Sequence, residues 1–145
     1  VAGAGTLGRF KPEETDWLDI DRGRAVIRAL GAFDIGQAVV VRDEYVLGVE
    51  AAEGTENLIA RCADMKRDYP AGVLVKLPKP DQDLRADMPA IGPDTIRQVA
   101  GANLKGIAVQ AGGCIIVNAD DVVRLADQAG VFLHSLDIDN QIGND

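Results

Sequence analysis

Residues 72–76 read GVLVK, and the run from Val73 to Val75 is apolar at consecutive positions, without polar alternation. A strand of this kind has no side to offer water, so both of its faces must be covered. The chain is thereby directed toward a sheet with helices packed on it.

The flanking sequence supplies such elements. DWLDIDRGRAVIRAL, residues 16–30, brings Trp17, Ile20, Ile27 and Leu30 within reach of one helical face, with Gly31 as a stop. AVVVRDEYVLGVEA, from Ala38, reads as a β-hairpin turning at Asp43 and Glu44. Thr55 is placed to cap a helix over 56–67, with Leu58, Ile59 and Met65 inward. Pro93 opens a helix running to about Ala102. KGIAVQAGGCIIVN, from Lys105, reads as a second hairpin turning at Ala111 to Gly113. Asn118 caps the next helix, with Asp121 as the partner in a near capping box and Gly130 as the stop, before a last strand VFLHSL. The predicted fold is α/β, a mixed sheet built from two hairpins and helix-linked strands with helices packed on it. An irregular entry segment (1–15) precedes a single domain (16–136), and a frayed tail (137–145) follows.

With 145 residues and 47% hydrophobic content, the chain can bury a core without metal or disulfide help. Its net charge of −8 argues against nucleic acid as a partner, since phosphate backbones demand a basic face. Cys62 and Cys114 have no metal-ligand spacing and read as reduced, buried thiols. Neither a membrane span nor a signal peptide is visible, which makes the cytoplasm the expected compartment. Residues 3–8, GAGTLG, match the dinucleotide fingerprint by letter, but only two residues precede them and Pro12 follows, so no strand–turn–helix context is predicted. His134 has no nucleophile pattern around it and reads as structural.

The chemistry concentrates after the GVLVK strand, in LPKPDQDLRADMPAIGPD. Lys76 stands at a strand's C-terminal end, where ligands of open α/β sheets gather. Lys79 and Arg85 add cations, and Asp83 and Asp87 add carboxylates four positions apart on a chain stiffened by prolines. Carboxylates that hold a hard divalent cation and cations that hold the remaining oxygens are what diphosphate chemistry requires. A solvated loop with mutually compensating charges has the same composition. VEAAEGTEN, residues 49–57, offers Glu50, Glu53 and Thr55 as a second wall, or simply a helix cap.

The segments DIGQAVVV, VLGVEAAEGTENLI, GVLVKLPKPDQDLRADMPAIGPDTI, LKGIAVQAGGCIIV and ADQAGVFLHSL together resemble the C-terminal domain of the LpxI-type UDP-2,3-diacylglucosamine pyrophosphatases over residues 16–136. The resemblance implies Mg²⁺-dependent hydrolysis of UDP-2,3-diacylglucosamine to UMP and 2,3-diacylglucosamine 1-phosphate, in lipid A biosynthesis. It also implies a homodimer, peripheral contact with the membrane, and an N-terminal domain that this chain does not include. The family's essential aspartate, in R-x-D-x-P-x-I-G, falls on Asp87. With it go Asp83 as a metal ligand and Lys76, Lys79, Gln82, Arg85, Glu53, Gly54 and Thr55 as contacts to substrate and phosphate. Two other readings stay open on the residues themselves: a different lipid-nucleotide enzyme such as a phosphatidate cytidylyltransferase, and a non-catalytic domain for anion binding or dimerisation.

Overall fold

A computed structural model describes residues 3–78 and 88–137. GVLVK behaves as its composition requires. Strand β4 (Val73–Lys76) lies between β2 (Ala38–Arg42) and β6 (Gly106–Gln110), and Val73, Leu74 and Val75 are fully buried. The other strands of the main sheet are β1 (Gly5–Leu7), β3 (Tyr45–Val49) and β8 (Phe132–Leu136), in the order β1-β8-β6-β4-β2-β3. Strands β4, β6 and β8 are parallel; β2 runs antiparallel to β4, and β1 antiparallel to β8.

Helix α1 (Glu14–Leu30) covers one face, where Ile20 and Ile27 pack on Val39, Val41, Val73, Val75 and Phe132. Helices α2 (Thr55–Ala63), α3 (Pro93–Gly101) and α4 (Ala119–Ala129) cover the other, where Leu58, Ile59, Ile96, Val99 and Val122 meet Val40, Leu74, Ile107 and Leu133. Alternate residues of one strand thus enter two cores, each fully buried side chain contributing about 1.5–3 kcal/mol.

The first hairpin forms as expected. Asp43 and Glu44 both take positive φ, 52° and 64°, the turn geometry that matches the twist of its strands. The second hairpin is corrected. Strand β6 is bonded in parallel to β4 on one edge and β8 on the other, which leaves no edge for a returning strand. The segment after the turn, β7 (Ile115–Ile116), pairs instead with β5 (Ala90–Ile91) in a separate two-stranded parallel sheet. GIAV has the same uninterrupted apolar character as GVLV, the mark of a central strand.

Local expectations also shift. The entry segment is not irregular throughout, because Gly5–Leu7 adds an edge strand to β8. Helix α1 starts two residues early, at Glu14, where the Glu13 N–H donates to Asp16 Oδ2 at 2.8 Å. Helix α2 ends at Ala63, and Met65 is 42% exposed instead of inward. Bonds from Asp64 N–H to Arg61 O and from Met65 N–H to Cys62 O tighten the last turn and carry Met65 out of the α periodicity. Asn118 occupies the N-cap of α4 but makes no side-chain cap bond, and Asp121 pairs with Arg124. Both cysteines are buried and unbridged, and burial pushes the Cys114 thiol up to about 11. His134 is held by Thr6 Oγ1, 2.9 Å from its Nδ1, and by the edge of Trp17. Apart from Asp137, the predicted tail lies outside the described residues.

The buried face of α1 carries one ionisable group with a measurable consequence. Asp19 is 4% exposed and accepts the Glu44 N–H at 2.7 Å. Burial pushes its carboxyl up to about 6, aided by the neighbouring Asp16 and Asp43 charges. The folded chain then binds a proton more tightly than the unfolded chain between pH 4 and 6, so this group's stabilisation is lost as pH rises through that window. Asp19→Asn keeps an oxygen for Glu44 and removes the charge. It should stabilise the protein by about 2 kcal/mol at pH 7 and by little at pH 4, read from urea unfolding at both pH values.

Candidate functional site

The C-terminal ends of three parallel strands lie at one end of the main sheet, and Lys76 stands there. Lys76 is the last residue of β4, in register with Ala38 of β2 and Val109 of β6. On the far side of Ala38, the Glu50 N–H donates to its carbonyl at 2.9 Å. Ala38, Lys76 and Val109 therefore lie abreast across three strands, with Glu50, the residue after β3, beside Ala38. The half-buried Lys76 directs Nζ to Ala90 O at 2.8 Å. Burial lowers the pKa of this amine, against the opposing pull of Glu50.

The Glu50 carboxylate is held at both oxygens. Oε1 accepts the Gln37 N–H and Oε2 accepts the Thr55 hydroxyl, each at 2.8 Å. Two glycines make this packing possible. At Gly36, φ is +48° and a Cβ would lie 1.8 Å from the Glu50 carbonyl oxygen, so no side chain fits. Gly54 caps α2 with φ 89° and ψ 160°, a conformation open essentially to glycine alone. Thr55, expected to be the cap, is instead the first helical residue and spends its hydroxyl on Glu50. A cavity of about 450 Å³ opens here, its wall including Asp34, Gly36, Gln37, Glu50, Ala52 and Gly54.

Of the residues singled out from sequence, Lys76, Gly54 and Thr55 are thus brought together through Glu50. Glu53 has a different engagement: its two oxygens face Arg61 Nε at 2.8 Å and Nη2 at 2.5 Å. Lys79, Gln82, Asp83, Arg85 and Asp87 lie outside the described residues. The residues flanking them are well anchored. Pro78 packs at Gly113, the buried Pro89 accepts the Ile115 N–H at 2.9 Å, and Ala90 receives Lys76. Both flanks therefore belong to the edge that carries Lys76.

Among the described residues, no group of three or more His, Cys, Asp or Glu side chains is arranged to hold a metal. The donor set assigned to Mg²⁺, Asp83 and Asp87, suits a hard cation that prefers one or two carboxylates plus water and phosphate oxygens. Gln37, Gly36 and Asp34 had no signal of their own in the sequence; the only hint was a glycine two residues before an apolar strand. No helix among the described residues is long and apolar enough to cross a membrane.

Residues 3–134 match the sequence model of a family described as the LpxI C-terminal domain. A UDP-2,3-diacylglucosamine pyrophosphatase, LpxI of Caulobacter vibrioides, is 40% identical over 139 residues, which cover 92% of this chain and 50% of that protein. The chain spans about half the length of this curated relative.

Proposed function

Because this chain belongs to the LpxI C-terminal domain family, we propose that it supplies one half of an enzyme that hydrolyses UDP-2,3-diacylglucosamine to UMP and 2,3-diacylglucosamine 1-phosphate. The observation that carries this reading is Lys76. It is a cation at the end of a central parallel strand, braced against Ala90 and next to both flanks of the charged stretch.

In the proposed reaction a water oxygen bonds to one phosphorus, the bridging P–O bond breaks, and the water protons pass to the phosphate products and solvent. Asp87 and Asp83 would hold a Mg²⁺ ion, which when bound supplies charge neutralisation and a more acidic water. Lys76 meets the negative charge that grows on the diphosphate, and Lys79 and Arg85 grip its outer oxygens, Arg85 in a bidentate manner. Gln82 donates to a remaining phosphate oxygen. Gly54 and Thr55 hold the opposite wall in place through Glu50. The reading includes a homodimer, cytoplasmic residence and peripheral contact with the membrane that carries the lipid product.

The test joins this chain to the other half of the Caulobacter vibrioides relative and measures UMP release from UDP-2,3-diacylglucosamine with Mg²⁺. Release that depends on both halves supports the proposal. Formation of CDP-diacylglycerol from CTP and phosphatidate instead would reassign the chain to cytidylyl transfer. Turnover of neither substrate would leave a non-catalytic binding domain.

A further inference from the structure

The opposite face of the main sheet carries a second cavity, away from Lys76. Val73 and Val75 of β4 enter the core under α1, so the alternation of the strand turns Lys76 to the other face, with Leu74. On β8 it is Phe132 and Leu136 that enter the core under α1, and His134 shares their face. Thr6 of β1 stands opposite His134 in the antiparallel register, with Oγ1 2.9 Å from Nδ1. The chain then passes through Lys11 and Pro12 into α1, which places Trp17 against the same histidine. Residues 5–17 thus wrap around one buried imidazole. They border a cavity of about 350 Å³ lined by Gly5, Thr6, Lys11, Pro12, Trp17 and His134.

The shape suits a flat ring. The Trp17 and His134 planes stand at 80° with centroids 5.0 Å apart. A planar group in that corner lies face-on to one ring and edge-on to the other, the two arrangements that aromatic pairs prefer. Pro12 adds a rigid apolar surface with no side-chain freedom to lose. The charge is one-sided. Lys11 is exposed and has no ion-pair or hydrogen-bond partner among the described residues, and no carboxylate lines the cavity. A chain of net charge −8 thus offers a lone ammonium beside an aromatic corner. The volume is at the small end of the range for small-molecule sites, room for one or two rings.

We infer that this cavity is a second ligand site, for a planar ring carrying an anionic group, with the ring against Trp17 and His134 and the anion at Lys11. The inference is independent of the hydrolase reading, since it uses neither Lys76 nor the charged stretch after it. A free aromatic carboxylate and a nucleoside monophosphate share this chemistry.

Trp17 is the only tryptophan, so its indole N–H gives a single NMR signal that reports on the cavity. Titrations of this chain with benzoate, benzyl alcohol, acetate and AMP separate ring, charge and source. Benzoate should shift the Trp17 indole and the amides of Thr6 and His134 saturably, with half-saturation at about 1–5 mM. Benzyl alcohol, a similar ring without the charge, should need about threefold more, and acetate should leave these signals in place at roughly 20 mM. Lys11→Met should weaken benzoate binding about threefold, and Lys11→Glu about tenfold because reversal doubles the electrostatic change. Benzyl alcohol binding should stay within about twofold in both variants, which shows that the cavity is intact. Half-saturation by AMP at least about fivefold below benzoate assigns the site to nucleotides, and a weaker AMP response assigns it to free aromatic acids. A Trp17 signal that neither benzoate nor AMP moves up to roughly 20 mM overturns the site. Equal shifts by acetate, or undiminished benzoate and AMP binding in Lys11→Glu, overturn it as well, because the ring or the anion would then have no part in recognition.

Discussion

Replacing Asp87 by asparagine should reduce hydrolysis of UDP-2,3-diacylglucosamine by at least about 10³-fold in the joined two-half enzyme, while the melting temperature moves by no more than about 2 °C. The residue is the aspartate of Arg85-x-Asp87-x-Pro89-x-Ile91-Gly92. The second half of that motif is anchored. Pro89 is buried, Ile91 is 2% exposed, and Gly92 caps α3 with its N–H on Thr95 Oγ1 at 3.1 Å. Such anchoring gives the proline, isoleucine and glycine structural reasons to be where they are. Asparagine preserves the size and removes the charge that a hard cation requires. A loss of 10³ corresponds to about 4 kcal/mol of transition-state stabilisation, within the reach of one charged group in a preorganised site. Near-normal turnover by this variant would end the assignment.

Lys76→Met should cost about 10²- to 10³-fold in kcat/KM, the usual scale for removing one group that stabilises developing negative charge. Methionine matches the length of the stem, so packing beside Ala38 and Val109 is kept. The bond to Ala90 O is lost, at about 1 kcal/mol of stability. The pH profile separates charge from shape. Burial holds the Lys76 amine below its ordinary 10.5, so the active, protonated form disappears as pH rises through a value under 10.5. Lys76→Arg stays protonated across that range, so it should recover part of the rate and move the alkaline limb upward. A methionine variant within about threefold of the parent would remove Lys76 from the reaction.

The legible parts of this chain were those with a local cause. The Asp43–Glu44 turn, the helix opened by Pro93 and the glycine stop at Gly130 each follow from what a few adjacent residues can adopt. Met65 was misread because an i→i−3 turn ended α2 before the periodicity that placed it inward. The second hairpin was misread for a different reason. AGG is a sound turn, and Gly113 N–H does bond back to Gln110 O at 3.0 Å. What it could not reveal was that both edges of β6 were already taken. The place of Lys76 at a strand end was legible because the apolar run before it stops there. The hold on Glu50 was not, because its Gln37 partner is 13 residues away and the two meet only through the β2–β3 pairing.

The amino-acid sequence alone therefore determined the class of the fold, the two-sided burial of its central strands and the strand end at which Lys76 stands. Those depend on where apolar side chains recur and where prolines and charges interrupt them. The tertiary structure alone decided which strands lie beside β6 and which groups hold the Glu50 carboxylate. Ladder hydrogen bonds join N–H to C=O whatever the side chains are, so neighbours are chosen only when both faces of the sheet are packed at once.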